Sequence, residues 1–97
     1  MTAQIYEEAA ALRERLVGVR RDLHRHPELG FRETRTAGIV AAELTGLGYE
    51  VATGIATTGV IGLLEGGQPG PAVMLRFDMD ALPVTEETGA EYASENP

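Results

Sequence analysis

The stretch AVMLRFDMD, residues 72–80, places two aspartates, Asp78 and Asp80, at the end of an apolar run. A nearly continuous apolar run is typical of a strand that is covered on both faces. Residues i and i+2 of a strand point to the same face, and ligands of open α/β sheets bind outside the carboxyl ends of the strands. Two carboxylates this close repel each other, so one retains a proton or a cation lies between them. Alternatively, both aspartates cap the following turn and face water, and spacing alone leaves both interpretations open.

The rest of the chain changes its apolar periodicity near residue 49. The predicted elements are helices at about 3–25 and 33–47 and strands at about 49–53, 58–65 and 71–78. Pro27 disfavours helical geometry at the residue before it, and Gly48 is the left-handed residue that commonly closes a helix. The expected buried stripes are Ile5, Ala9, Leu12, Leu16, Val19 and Leu23 in the first helix, and Ala37, Val40, Leu44 and Leu47 in the second. This order predicts an α/β fold in which two N-terminal helices pack on the first strands of a mixed sheet.

Composition excludes several function classes. The chain has 97 residues with a net charge of −7, and residues 41–97 contain Arg76 as their only basic residue beside nine acids. Such an acidic half repels phosphate, so a nucleic-acid partner is not expected. No apolar run approaches the roughly 18 residues that would span a bilayer, and the N-terminus lacks the pattern of a signal peptide. The absence of cysteine excludes disulfides and thiolate ligands within these residues, and a cytoplasmic location is the default expectation.

Both histidines lie in LHRHPELGFRET, residues 23–34. His24, His26 and Glu28 together could suggest a metal site. However, residues two apart lie on different faces of a helix, which opposes shared coordination. We therefore interpret these side chains as hydrogen-bonding groups of the corner that Pro27 and Gly30 create.

Three stretches carry a resemblance to a known family. LHRHPELGFRETRTA, TTGVIGLLEG and RFDMDALPVTEETGAEYASENP are similar to the start of the metal-dependent N-acyl-amino-acid amidohydrolases. This group includes hippurate hydrolase and the plant auxin-conjugate hydrolases, a branch of the aminoacylase/carboxypeptidase metallopeptidases. The usual family form of the acidic segment is Arg-Ala-Asp-Met-Asp-Ala-Leu-Pro, and Phe77 replaces its first alanine here. The resemblance implies that residues 1–97 are a truncated N-terminal part of a three-layer α/β/α catalytic domain.

The same resemblance implies where the chemistry lies. In the family, the segment that follows a pair like Asn96-Pro97 supplies a cysteine and a histidine to a centre of two divalent ions (Zn, Mn, Ni or Co), so no metal ligand is expected within this chain. Asp80 matches an aspartate that orients a metal-bound histidine in related carboxypeptidases. Asp78 matches the histidine itself, and its role stays open because the ligands of this branch come mostly from elsewhere. The implied substrate of the full-length protein is a small N-acyl amino acid, with homodimerisation as a possibility and without a membrane partner.

The sequence leaves two alternative functions. An apolar strand ending in Asp-x-Asp also opens the magnesium-dependent phosphatases of the haloacid-dehalogenase type, but Leu82 stands where that motif has Thr or Val. The second is a non-catalytic interaction module, since Asp78 and Asp80 alone leave most metal positions to water. The 97-residue chain is therefore expected to be inactive by itself. We also expect it to associate through the uncovered edge of the 71–78 strand.

Overall fold

The computed structural model describes residues 2–95, which form three helices and one two-stranded sheet. The elements in chain order are α1 (Thr2–Ala11), α2 (Arg13–Arg25), α3 (Thr34–Gly46), β1 (Glu50–Ile55) and β2 (Gly59–Leu63). The predicted α/β fold class is confirmed. The Asn96-Pro97 pair lies outside the described residues. The chain divides into two compact units, one drawn from Met1–Pro27 and Val84–Pro97 and the other formed by Glu28–Pro83.

In the first unit, the helix predicted over 3–25 is interrupted at Leu12 and becomes α1 and α2. The Leu12 amide donates to the Ala9 carbonyl, 3.1 Å away and only three residues back. Such a three-residue turn is tighter than an α-helical one, so the backbone ends one helix there and begins the next. Apolar periodicity identifies a helix face but not its individual hydrogen bonds. The sequence pattern therefore does not predict the break at Leu12.

The apolar stripe predicted for α1 and α2 is buried only in part, because its first members are exposed and only Val19 and Leu23 are half-buried. Ile5, Leu12 and Leu16 are all exposed, and no apolar side chain among residues 2–95 reaches the buried class. An amphipathic face becomes buried only where another element covers it. Within the first unit, residues 84–95 add contacts to α2 but form neither helix nor strand.

In the second unit, α3 packs on a hairpin of β1 and β2. The two strands are antiparallel, with Glu50 opposite Leu63 and Ile55 opposite Gly59. Leu44 of α3 lies against Gly62 of β2, since a Cβ built on that glycine would lie 2.9 Å from Leu44 Cδ1. Most of the predicted α3 stripe is half-buried against the hairpin, whereas its last member, Leu47, is exposed.

The strand predicted over 71–78 is wrong for the described residues, which have irregular backbone there. Val73, Met74, Leu75 and Phe77 are between 73% and 89% exposed. A strand forms only where a neighbouring strand pairs with its backbone groups and other elements cover its side chains. Within residues 2–95 no strand pairs with this segment and no element covers its side chains, although its apolar composition is typical of a strand.

Candidate functional site

Asp78 forms an ion pair with a residue of its own segment. Its Oδ1 atom lies 2.9 Å from Nη2 of Arg76, and the two side chains are 66% and 84% exposed. A pair this open to solvent stabilises the fold little. It does, however, supply a positive charge beside the Asp78 carboxylate. The structure therefore gives Asp78 a local partner, and among residues 2–95 it lies in no cluster of candidate metal ligands.

Asp80 has different surroundings. The amide of the next residue, Ala81, donates to the carbonyl of Glu28 over 2.8 Å. The Asp80 carboxylate itself lies beside Gly30, because a Cβ built on that glycine would be 3.9 Å from Asp80 Oδ2. The prediction that both aspartates share one strand face is wrong here, since no strand forms. Asp80 is instead set against the turn at residues 28–31.

Glu28 joins this turn to α3. Its carboxylate accepts hydrogen bonds from the backbone amides of Arg35, over 2.9 Å, and Thr36, over 2.6 Å. These two amides belong to the first turn of α3, where backbone donors lack partners within the helix. Glu33, which precedes the helix, makes no side-chain capping bond. Glu28 therefore performs the capping that the residue before the helix does not.

The environment of Glu28 favours its charged form. Partial desolvation opposes ionisation, but hydrogen bonds from Thr36 and Arg35, together with the Arg35 charge, outweigh it. The pKa of Glu28 is lowered from its ordinary value of 4.5. An ionised carboxylate at a helix N-terminus also complements the helix dipole. At neutral pH the turn and the start of α3 are thus held together by a charged capping group.

Sequence reasoning missed the role of Glu28. The sequence pattern starts the second helix at about residue 33 and groups Glu28 only with the histidines. The available signal was the turn itself, since Pro27 and Gly30 mark a reversal of the chain. The turn is completed by Phe31, whose φ of 64° is left-handed, and by a 2.9 Å bond from the Arg32 amide to the Leu29 carbonyl.

The two histidines contact carboxylates of the first unit. His24 Nε2 lies 2.7 Å from Glu86 Oε1, and His26 lies 3.5 Å from Glu95 and 3.9 Å from Asp22. We predicted that the two histidines bond only within the helix-to-turn corner. They also contact Glu86 and Glu95, which are distant from that corner in sequence. Among residues 2–95, no group of three or more His, Cys, Asp or Glu side chains is arranged to hold a metal ion. No helix in that range is long and apolar enough to cross a membrane.

Comparisons with known proteins give this arrangement a family context. The crystal structure of the Bacillus subtilis YXEP protein, a dinuclear metal-binding peptidase of the M20 family, matches 89% of this chain with a TM-score of 0.80 and 39% identity. The match covers 24% of the YXEP chain. No family model matches the sequence. The fold is therefore that of part of an M20 peptidase domain.

The curated relatives define the family more narrowly. The N-acyl-L-amino acid amidohydrolase of Geobacillus stearothermophilus is 45% identical over 82 residues, which are 84% of this chain and 22% of the relative. The hippurate hydrolase of Campylobacter jejuni is 47% identical over 76 residues, or 78% of this chain and 20% of the relative. The chain is similar to part of these amidohydrolases and to part of an M20 peptidase. It spans about a fifth of the length of the curated relatives it matches.

Proposed function

We propose that this chain is part of a longer metal-dependent amidohydrolase that cleaves the amide bond of N-acyl amino acids. The observation that carries the proposal is the match of 89% of the chain, at 39% identity, to part of a dinuclear metal-binding peptidase. The names of relatives at 45% and 47% identity support amide hydrolysis as the reaction. The products would be a free amino acid and a carboxylic acid.

The described residues do not fit a two-metal centre by themselves. They contain no group of three or more candidate ligands, and Asp78 already faces Arg76. We therefore assign the ligands of two divalent ions (Zn, Mn, Ni or Co) to residues outside this chain. No step of the reaction is assigned to the chain's own carboxylates. Homodimerisation of the longer protein and its cytoplasmic location stay predictions.

Within this proposal, Asp80 orients a metal-bound histidine. A histidine that binds a metal usually donates its second ring N–H to a carboxylate or carbonyl, which fixes the ring and its tautomer. Both aspartates are exposed, but the Asp80 carboxylate lies beside the Gly30 turn, whereas Asp78 is paired with Arg76. A carboxylate beside the turn suits a fixed acceptor better. Asp78 receives no role in the reaction.

The test compares two polypeptides. The first is the full reading frame that contains these residues, and the second is the 97-residue chain. We expect the first to release amino acid from N-acetyl and N-benzoyl amino acids, to lose that activity with a chelator, and to regain it with added divalent metal. The 97-residue chain should hydrolyse none of these substrates. Chelator-insensitive turnover by the first, or chelator-sensitive turnover by the second, contradicts the proposal.

A phosphatase control uses the same proteins. The full reading frame should not hydrolyse a phosphate monoester in the presence of magnesium. Phosphatase activity that Asp78→Asn abolishes would instead favour the Asp-x-Asp phosphatase mechanism.

A further inference from the structure

We propose that Glu28 is the positioning residue for Asp80. Its side chain holds the first turn of α3, while its main chain holds the residue that follows Asp80. The inference rests on the proposed function, in which Asp80 orients a metal-bound histidine, and it adds a residue that acts on Asp80 from the turn.

The first step is the fixed orientation of Glu28 itself. One carboxylate oxygen accepts from Arg35 over 2.9 Å and the other from Thr36 over 2.6 Å. Two bonds to neighbouring amides leave a carboxylate little freedom to rotate. The preceding Pro27 has a fixed φ, which further limits how the chain enters the turn. The direction of the Glu28 carbonyl is therefore set by α3.

The second step transfers that orientation to the acidic segment. The Glu28 carbonyl accepts from the Ala81 amide over 2.8 Å. This bond fixes the backbone one residue beyond Asp80 in a stretch that has neither helix nor strand to hold it. A segment without regular structure depends on such single bonds for its position.

The third step is the proximity of Asp80 to Gly30. Its Oδ2 would be 3.9 Å from a Cβ on Gly30, so the carboxylate and the turn are neighbours. The Ala81 bond acts on the residue next to Asp80 and keeps the Asp80 carboxylate beside the turn. Loss of the Glu28 side chain would release α3 and let the Asp80 carboxylate move.

A simple helix cap would account for the Arg35 and Thr36 bonds alone. It predicts lower stability after Glu28→Ala, with unchanged kinetics in the folded protein. A positioning role predicts a change at Ala81 and a loss of kcat as well. Ala42→Gly is the matched control, because it weakens α3 at an exposed interior position that lies away from the turn.

The first readout is amide hydrogen exchange of the full reading frame, which does not require activity. We expect Glu28→Ala to accelerate exchange at Arg35, Thr36 and Ala81 together, by at least about tenfold, and Ala42→Gly to leave Ala81 unchanged. An Ala81 amide that is unprotected in the parent protein, or equally protected in Glu28→Ala, overturns the proposal.

The second readout is steady-state hydrolysis with metal content measured. We expect Glu28→Ala to lower kcat by about tenfold or more, since small displacements of catalytic groups have large effects on rate, with KM and metal content within about twofold. Glu28→Gln, which retains one amide acceptor, should recover part of the rate. Equal kcat in Glu28→Ala and Ala42→Gly overturns the positioning role. If the parent hydrolyses no N-acyl amino acid, the proposed function fails, and amide exchange still decides whether Glu28 holds the segment.

Discussion

The carboxylate of Glu86 lies 2.7 Å from His24 Nε2 and connects residues 84–95 to α2 within the first unit. It also accepts from the Thr88 hydroxyl and, over 2.9 Å, from the Ser94 amide. These hydrogen bonds, that of Thr88 first, lower the pKa of Glu86 below its ordinary value of 4.5. The ring of Tyr92 packs edge-on against His24, with centroids 5.8 Å apart. One carboxylate thus organises a stretch that has no regular secondary structure.

Glu86→Gln is expected to loosen residues 84–95. The amide side chain keeps the size of Glu86 but lacks its charge, and it cannot accept from His24, Thr88 and Ser94 as the carboxylate does. Amide exchange at Ser94 should become several-fold faster. Glu87→Gln is the matched control, since the neighbouring glutamate is exposed and makes none of these bonds. Equal exchange rates in the two variants would show that Glu86 does not hold the segment.

Acid is expected to break the hydrogen bonds that the carboxylates of Glu28 and Glu86 accept. The pKa values of Glu28 and Glu86 are lowered in the folded chain, so their stabilisation is fully present above about 4.5 and is lost as the pH falls through the lowered values. Amide exchange at Thr36 and Ser94 should accelerate in that acidic range and stay constant between pH 5 and pH 7, after correction for intrinsic rates. In Glu28→Gln the acid dependence at Thr36 should disappear. An unchanged acid dependence in that variant would assign the effect to another group.

Gly59→Ala is expected to damage the hairpin. A Cβ at this position would overlap the carbonyl oxygen of Ile55, which is backbone and cannot move aside cheaply. Forced overlap of this kind costs about 1–3 kcal/mol. Protection of the β1 and β2 amides should fall accordingly. Gly67→Ala, where nothing lies within 4 Å of the added atom, should leave protection unchanged. Similar protection in both variants would contradict the antiparallel pairing of β1 with β2.

The 97-residue chain is expected to self-associate through residues 72–77. The apolar side chains of this segment are exposed, and its backbone is not paired in a strand ladder within residues 2–95. Segments with this composition pair readily with a second copy. Leu75→Glu should shift the sedimentation profile toward monomer, whereas Leu47→Glu, at an exposed site outside the segment, should not. A monodisperse monomer of the parent chain at tens of micromolar would refute this expectation.

The helix and the two strands predicted from the sequence form as α3, β1 and β2, because these elements contact one another within the chain. The apolar stripe of α3 packs on β1 and β2, and the three elements lie within about 30 residues of sequence. The 72–77 segment and the stripe containing Ile5 and Leu16 carry equally clear apolar patterns. A pattern shows only that a face can be buried, and the described elements leave most of these two faces exposed.

The candidate site was predictable only in part. The sequence shows the acidic segment as Asp-x-Asp. The bond that links this segment to Glu28, however, joins the Ala81 amide to a carbonyl more than 50 residues away. Hydrogen bonds to backbone groups leave no residue-type signature at the acceptor, so sequence reasoning could not pair Ala81 with Glu28. The Arg76 partner of Asp78, two residues away, was the easier contact to anticipate.

The central claim is that Asp80, and not Asp78, belongs to the site of a metal-dependent amidohydrolase. The most direct measurement is kcat for hydrolysis of an N-acyl amino acid by the full reading frame, with saturating metal, for Asp80→Asn and Asp78→Asn. Loss of an outer carboxylate partner of a metal ligand typically costs about 10- to 100-fold in metal affinity or activity. We predict a loss of that size for Asp80→Asn and a change within about twofold for Asp78→Asn. Equal rates for the two variants, or a larger loss for Asp78→Asn, would contradict the account.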